Sequence, residues 1–385
     1  MATKKKKQAK SKTSKIILFA VELLVLAGLA VGLWVVLKAT GSTDSEGNKT
    51  GVQKIKIEED AIMVNVAEQV KENVAMKGYR NIALFGVDSR TGALTQKTRT
   101  DTIMIASVNQ DTKEVKLVSV YRDTYLNQMD TDGTSFGKCN ASYAYGGAEQ
   151  ALNMLNTNLD MNVTDFVTIG FEGLRDVIDA LGGIDIEVDD AEIAHINNYQ
   201  LSMAESMGLK QSDVKVVDQV GYQHLDGLQA TAYCRIRYTA GNDFKRTERQ
   251  REVLQAVLAV AKTASASDLQ KICQNVFSEV YTSLDLTEIL EILTEITQYN
   301  IVAEGGFPTT GQITTGTIGS KGSCVIPLDL TSNVTWLHEF LFDEQGYEPS
   351  DTVKQYSEKI YKDTNPYLSG AVSQAPAEDT TDDGE

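Results

Sequence analysis

The sequence predicts an α/β fold, with a mixed central sheet, helices on both faces and one transmembrane helix ahead of it at the N-terminus. Three observations carry this. Apolar runs of strand length recur, at Asn81 to Val87 (NIALFGV), Thr102 to Val108 (TIMIASV) and Val115 to Val120 (VKLVSV). Later runs alternate with segments whose apolar residues return every three or four positions, the helical period. A single long apolar stretch, 16–37, stands apart behind a lysine run.

The elements follow in order. Lys4 to Lys7, with Lys10, Lys12 and Lys15, make residues 1–15 a basic tail. At about 1.5 Å per residue, 16–37 spans about 33 Å, enough to cross a bilayer. The positive-inside rule keeps the lysines in the cytoplasm and sends the remainder outside. Glu22 interrupts the stretch about two turns from its inner edge, and Trp34 sits near its outer end. A cleaved signal peptide is the competing reading, but only Ala39, Gly41 and Ser42 offer a weak cleavage site. Residues 38–78 read as a polar linker and a stem helix, with Ile62, Val66, Val70 and Val74 on one face.

The main domain is read as 79–263. The runs 102–108 and 115–120 form a hairpin around Asn109, Gln110 and Asp111. Helices are expected at Ala148 to Leu159, Glu172 to Leu181, Leu228 to Tyr233 and Arg246 to Thr263, and strands at Asp165 to Ile169 and Ile184 to Val188. Gly182 and Gly183 end the second helix, as glycine does at helix C-termini. Residues 264–350 read as a C-terminal extension packed on this domain, with helices at Leu269 to Val280, Leu286 to Gln298 and Val334 to Leu341 and a strand at Val325 to Leu328. Residues 351–385 read as an acidic, disordered tail.

Composition prunes the functions. The 385 residues carry 53 acidic against 36 basic side chains, a formal charge of -17, which argues against nucleic acid as a partner. At 42% hydrophobic the chain has material for a large core. The three histidines stand in unrelated contexts, with no zinc-ligand spacing. Neither a nucleophile elbow, nor a P-loop, nor a dinucleotide fingerprint occurs. Four cysteines, Cys139, Cys234, Cys273 and Cys324, all fall on the outer side, where two disulfides are permitted in any of three pairings.

Against this acidic background, arginines and aspartates gather at strand ends. Asp88 and Arg90 follow the first strand, Arg99 and Asp101 precede the second, and Arg122 and Asp123 follow the third. With the first and third strands parallel, all three pairs meet on one rim, where open α/β sheets bind ligands. Arg235 and Arg237 lie two apart in an extended stretch and point the same way. Arg246, Arg249 and Gln250 share a helix face. Guanidinium forks grip phosphate, and carboxylates beside them hold a divalent metal, so the pattern suits a pyrophosphate.

At these residues the chain resembles the LytR–CpsA–Psr (LCP) family of membrane-anchored bacterial phosphotransferases. The motifs that carry the resemblance span roughly Tyr79 to Thr263. They are GVDSR, RTDTIMIASVN, VSVYRDTY, KCNASYAYGG, FVTIGFEGLRDVIDALGGIDIEV, LDGLQATAYCRIRY and DFKRTERQRE. Tyr121 departs from the pattern, standing where many members have proline.

The resemblance implies transfer of a glycopolymer, such as a teichoic acid or capsular polysaccharide, from undecaprenyl pyrophosphate to peptidoglycan through a phosphodiester. The acceptor it implies is the C6 hydroxyl of N-acetylmuramic acid. By position, Asp88 and Asp101 match aspartates that hold Mg²⁺ (or Mn²⁺). Arg99, Arg122, Arg235, Arg237, Arg246 and Gln250 match a pyrophosphate-binding set, and Arg90, Lys138 and Arg249 fall in the same motifs. Arg99, Arg122, Asp123 and Asp243 carry the catalytic expectation; Asp123 or Asp243 takes the hydroxyl proton, or the metal site lowers that hydroxyl's pKa enough. The motif positions of two cysteines suggest Cys139–Cys234 and Cys273–Cys324 bridges. Phe136, Tyr143, Tyr145, Phe171 and Tyr238 are aromatics that would line a sugar path if they are not core. The expected location is the bacterial cell membrane, single-pass, with the main domain outside. A lipid-pyrophosphate pyrophosphatase and a non-catalytic envelope regulator are the alternatives.

Overall fold

The computed structural model describes residues 57–368 except 89–93, 96, 131–132, 238, 240–241 and 277–278, together with 42–43 and 49–50. The expected transmembrane helix 16–37, Arg90, Tyr238 and the end of the tail (369–385) lie outside the described residues. Among those described, no helix is long and apolar enough to cross a membrane. The chain divides into two units, Met1–Gln53 and Lys54–Glu385. In the first, Ser42–Thr43 pairs antiparallel with Lys49–Thr50.

The second unit is built on a six-stranded sheet. Its strands are β1 (Tyr79–Val87), β2 (Thr100–Asn109), β3 (Glu114–Val120), β6 (Asp165–Gly170), β9 (Val280–Thr282) and β10 (Asn300–Phe307), in the spatial order β9-β6-β1-β2-β3-β10. The β2–β3 hairpin is antiparallel, β6 lies parallel to β1, and β10 lies parallel to β3. The sheet is therefore mixed, and β1, β3, β6 and β10 all end on one edge, where β2 begins.

Alternation along β1 shows how the two faces differ. Ala83, Phe85 and Val87 are buried against a core that includes Leu152, Leu155 and Leu159 of α1 (Ala141–Leu159) and Val334, Leu337 and Leu341 of α8 (Leu330–Phe342). Leu84 and Gly86 face the other way and are only half-buried. That second face packs through Met104 and Leu117 on Leu254 of α5 (Asn242–Thr263). Helices cover both faces, as the strand pattern predicts.

A smaller lobe adjoins α5. It contains α2 (Phe171–Leu181), β7 (Ile184–Val188), α3 (Asp190–Ser206), β8 (Gly221–Leu225) and α4 (Gly227–Tyr233), around Ile178, Ile186, Ile196 and Tyr233. Gly182, at φ 91°, ends α2 in the left-handed conformation that glycine permits.

Several expectations are corrected. The stem is not one helix but two four-residue turns, Glu59–Ile62 and Glu68–Lys71, because Ile62, Val66 and Val70 sink into the domain core. Residues 264–350 are not an add-on. Behind α6 (Ala266–Val276), β9 closes one edge of the sheet; behind α7 (Leu286–Thr294), β10 closes the other. Residues 351–364 form α9 (Asp351–Thr364), capped by Ser350 and burying Val353 and Ile360, where a disordered tail was expected.

The expected disulfides are absent, and all four cysteines are free thiols. Cys139 is buried with Sγ 3.4 Å and 3.3 Å from the carbonyls of Tyr121 and Arg122. Cys234 ends α4 in the smaller lobe. Burial pushes the Cys273 and Cys324 thiols up to about 11 and Cys234 up to about 12, and drives Cys139 up as well. Because the thiolate is the reactive form, the native protein should react slowly with thiol reagents at neutral pH. All four thiols should react after unfolding, and reductant should leave Tm unchanged. A drop of Tm on reduction would restore the disulfides.

Candidate active site

The sheet edge that collects the strand ends holds the charged residues. Asp88 follows β1 directly. The β1–β2 register shifts between Gly86, paired with Thr102, and Val87, paired with Thr100. This leaves Asp101 as an extra residue in a β-bulge, a device that re-aims a side chain beside a functional site. Gly86 is required there, since a Cβ would stand 2.8 Å from Thr102 Oγ1.

Arg122 and Asp123 occupy the turn after β3, closed by Thr124 N–H donating to the Tyr121 carbonyl at 2.9 Å. The Arg122 carbonyl accepts from Asn140 N–H at 3.0 Å, which fixes the turn against the start of α1. Strand β4 (Tyr125–Asn127) pairs with β5 (Phe136–Lys138), and this brings Lys138 Nζ to 3.5 Å from Asp123.

Charge then interlocks across elements. Arg122 binds the Asp101 carboxylate and has Asp123 at 3.9 Å and Asp243 at 4.0 Å. Asp243, in the first turn of α5, also meets Arg246 at 3.2 Å and Arg237 at 3.4 Å. Arg235 reaches Asp88 at 3.7 Å and lies 4.4 Å from the Phe171 ring. Burial weakens Arg122's hold on its proton, but Asp101, Asp123 and Asp243 outweigh it and raise the pKa. Arg246 goes the other way. Its side chain is 3% exposed, and burial followed by the neighbouring Arg122 lowers its pKa. Arg122 Nε, Arg237 Nη2 and Arg246 Nε are buried without a hydrogen-bond partner. An incoming anion relieves that penalty.

The charged cluster opens into a cleft of about 330 Å³. One end carries Asp88, Asp101, Arg235, Arg237, Arg246 and Gln250. The rest is apolar, running between Leu84, Met104 and Val167 of the sheet and Leu174, Val177, Leu254 and Val257 of α2 and α5. The cleft therefore suits a ligand with an anionic head and a hydrocarbon tail.

Two expected site residues fall elsewhere. Arg249 turns away from the cleft and is buried against Glu192. Arg99 is exposed just ahead of β2, is not among the residues lining the cleft, and no ion pair among the described residues holds it. Arg90 lies outside the described residues. Of the aromatics, Phe171 lines the cleft, Tyr143 and Phe136 are core, and Tyr145 is exposed. Tyr121 packs edge-on against Phe244 at 4.5 Å and over Gly306, where a Cβ would stand 2.0 Å from its hydroxyl.

Asp88 and Asp101 both border the cleft, and their carboxylates are of the kind that Mg²⁺ takes, one or two at a time, with water and substrate phosphate completing its shell. Among the described residues no group of three or more His, Cys, Asp or Glu side chains could hold a metal on its own.

The family model described as the LytR_cpsA_psr family matches residues 38–320. The chain belongs to this family. LytR_cpsA_psr relatives include TagV of Bacillus subtilis, named a polyisoprenyl-teichoic acid–peptidoglycan teichoic acid transferase. It is 27% identical over 72% of this chain and 65% of its own length, so the match spans less than two thirds of that relative. A TagU of Enterococcus faecalis with the same activity in its name is 30% identical, over 60% of this chain and 69% of its own. The crystal structure of B. subtilis TagV superposes with TM-score 0.55 at 25% identity, covering 71% of this chain and 99% of that one. TagT with bound octaprenyl pyrophosphate shares the fold, with TM-score 0.51 at 24% identity, covering 72% and 96%.

Proposed function

We propose that the chain transfers a glycopolymer from a polyprenyl pyrophosphate carrier to peptidoglycan through a phosphodiester. The observation that carries this reading is the two-part cleft, with its buried, anion-seeking guanidiniums at one end and a hydrocarbon-lined passage at the other. Family membership and the activity in the names of TagV and TagU support it. So does TagT, solved with octaprenyl pyrophosphate bound.

In this scheme Arg122, Arg235, Arg237 and Arg246 bind the two phosphates, and Gln250 borders them. The prenyl chain lies between the sheet and α2 and α5. A sugar hydroxyl of the acceptor attacks the phosphorus that bears the glycopolymer. The new P–O bond forms as the bond to the bridging oxygen breaks, and polyprenyl phosphate departs. The hydroxyl proton passes to a carboxylate. Asp123, beside Lys138 and Arg122, and Asp243, beside Arg237 and Arg246, are the two candidate acceptors. Asp88 and Asp101 would hold Mg²⁺ (or Mn²⁺), which when bound neutralises charge on the phosphoryl oxygens. The apolar stretch 16–37 anchors the chain in the cell membrane, with the catalytic domain outside and within reach of lipid-linked substrates.

The test supplies a prenyl-pyrophosphate-linked glycan with and without peptidoglycan fragments. The expected product is glycan joined to peptidoglycan by a phosphodiester, with prenyl monophosphate released only when the acceptor is present. Release into water at the same rate without acceptor would make the protein a pyrophosphatase instead.

Metal dependence has its own readout. Asp88→Asn combined with Asp101→Asn should raise the Mg²⁺ concentration needed for half-maximal activity at least about tenfold, about 1.4 kcal/mol, since losing even an outer-shell partner of a metal costs that much. An unchanged Mg²⁺ requirement would place the metal elsewhere.

A further inference from the structure

Arg249 is 1% exposed and is among the largest fully buried side chains of the described residues. Its Nε donates to Glu192 Oε1 at 2.6 Å. The second oxygen of Glu192 accepts from the backbone N–H of Asp189, closing the capping box at the start of α3. The ion pair accounts for the buried charge. Two further donors of the guanidinium reach elsewhere. Nη1 donates to the Ile236 carbonyl at 3.2 Å, and Nη2 donates to Thr239 Oγ1 at 2.7 Å.

Ile236 and Thr239 stand on either side of Arg237 in the chain. This segment leaves α4, carries Arg235 and Arg237 to the cleft, and enters α5. Helix α5 thus acts on the cleft in two ways. Arg246 and Gln250, one turn apart, line the cleft directly. Arg249, rotated off that line, grips the segment that bears the neighbouring arginine. Lysine at this position would not do the same, since its three donors sit on one nitrogen, whereas the planar fork sends N–H groups from three nitrogens to three acceptors.

We propose that Arg249 is a positioning residue that sets Arg237 in the phosphate site by holding Ile236 and Thr239. This rests on the lipid-pyrophosphate reading of the cleft. The clean probe is Thr239→Val, which removes one of the two contacts to the segment and leaves the Arg249–Glu192 pair intact.

The experiment measures binding of farnesyl pyrophosphate to the purified full chain, by calorimetry, for four proteins: unaltered, Thr239→Val, Arg237→Ala and both together. Losing one hydrogen bond from the charged guanidinium corresponds to at least about a 10-fold weaker Kd for Thr239→Val. Because the hydroxyl acts through Arg237, the double variant should bind no more weakly than Arg237→Ala alone. A merely structural role of Thr239 would instead multiply the two losses. That result, or unchanged binding in Thr239→Val beside a clear loss in Arg237→Ala, overturns the proposal. Unchanged binding in Arg237→Ala itself overturns the lipid-pyrophosphate reading and this proposal with it.

Discussion

Arg246→Ala will lose polymer transfer by about 10²- to 10³-fold, the usual cost of removing a preorganised charge from a transition-state site. Arg246 stands at the centre of the cluster. It pairs with Asp243 at 3.2 Å, donates to the Asp101 carbonyl at 3.3 Å, and lies close enough to Arg122 for each to feel the other. Its Nε has no partner, so its desolvation is only part compensated. A phosphoryl oxygen completes that compensation, and the benefit grows as charge develops during transfer. Arg246→Lys keeps the charge but lacks the fork and should restore only part of the rate. A rate within twofold of the unaltered protein for Arg246→Ala would remove Arg246 from the chemistry. A Tm scan separates this from unfolding, because the alanine protein also loses a partner of Asp243.

Val177→Trp will weaken binding of long-chain prenyl pyrophosphate by at least about tenfold, while inorganic pyrophosphate binds as before. Val177 lies on α2, half-buried, and lines the apolar part of the cleft. An indole there fills space that the scheme assigns to the prenyl chain. Each isoprene unit that is excluded forfeits the burial of several methylene-sized groups, at roughly 0.8 kcal/mol each. The charged end, on Arg122, Arg237 and Arg246, is left untouched. Equal weakening for both ligands would mean that the substitution deforms the site rather than occupying the chain's path. Unchanged affinity for both would mean that the chain runs elsewhere.

Much of this site was legible from where charge falls in the sequence. Asp88, Asp101, Arg122 and Asp123 flank strands whose apolar runs are unmistakable, and the β2–β3 hairpin forces them to one edge. Arg235, Arg237, Arg246 and Gln250 lie in motifs dense enough to carry the family resemblance. Arg249 was misread because spacing groups it with Arg246 and Gln250, and only packing shows that its partner is Glu192 on α3. That helix is itself signalled by Asp189 and Glu192, a capping-box spacing, although its apolar residues are too sparse for a clear period.

The cleft walls were not legible. Leu84, Met104, Val167, Leu174 and Val177 look like core in a list of residues, and it is the incomplete packing of one sheet face that leaves them lining a passage. The two edge strands were hidden for a different reason. Val280–Thr282 has β-favouring residues but is only three long, and Asn300–Phe307 is interrupted by two glycines, so neither stands out as a strand on its own. Tertiary pairing with β6 and β3 makes them strands. The bulge at Asp101 likewise comes from register, which one strand's sequence does not disclose.

A crystal of the protein soaked with a prenyl pyrophosphate and Mg²⁺ tests the central claim most directly. The account predicts density for two phosphates among Arg122, Arg235, Arg237 and Arg246, with the metal at Asp88 and Asp101 and the chain leading between the sheet and α2 and α5. Phosphates bound anywhere else, or a chain lying outside the cleft, would contradict it.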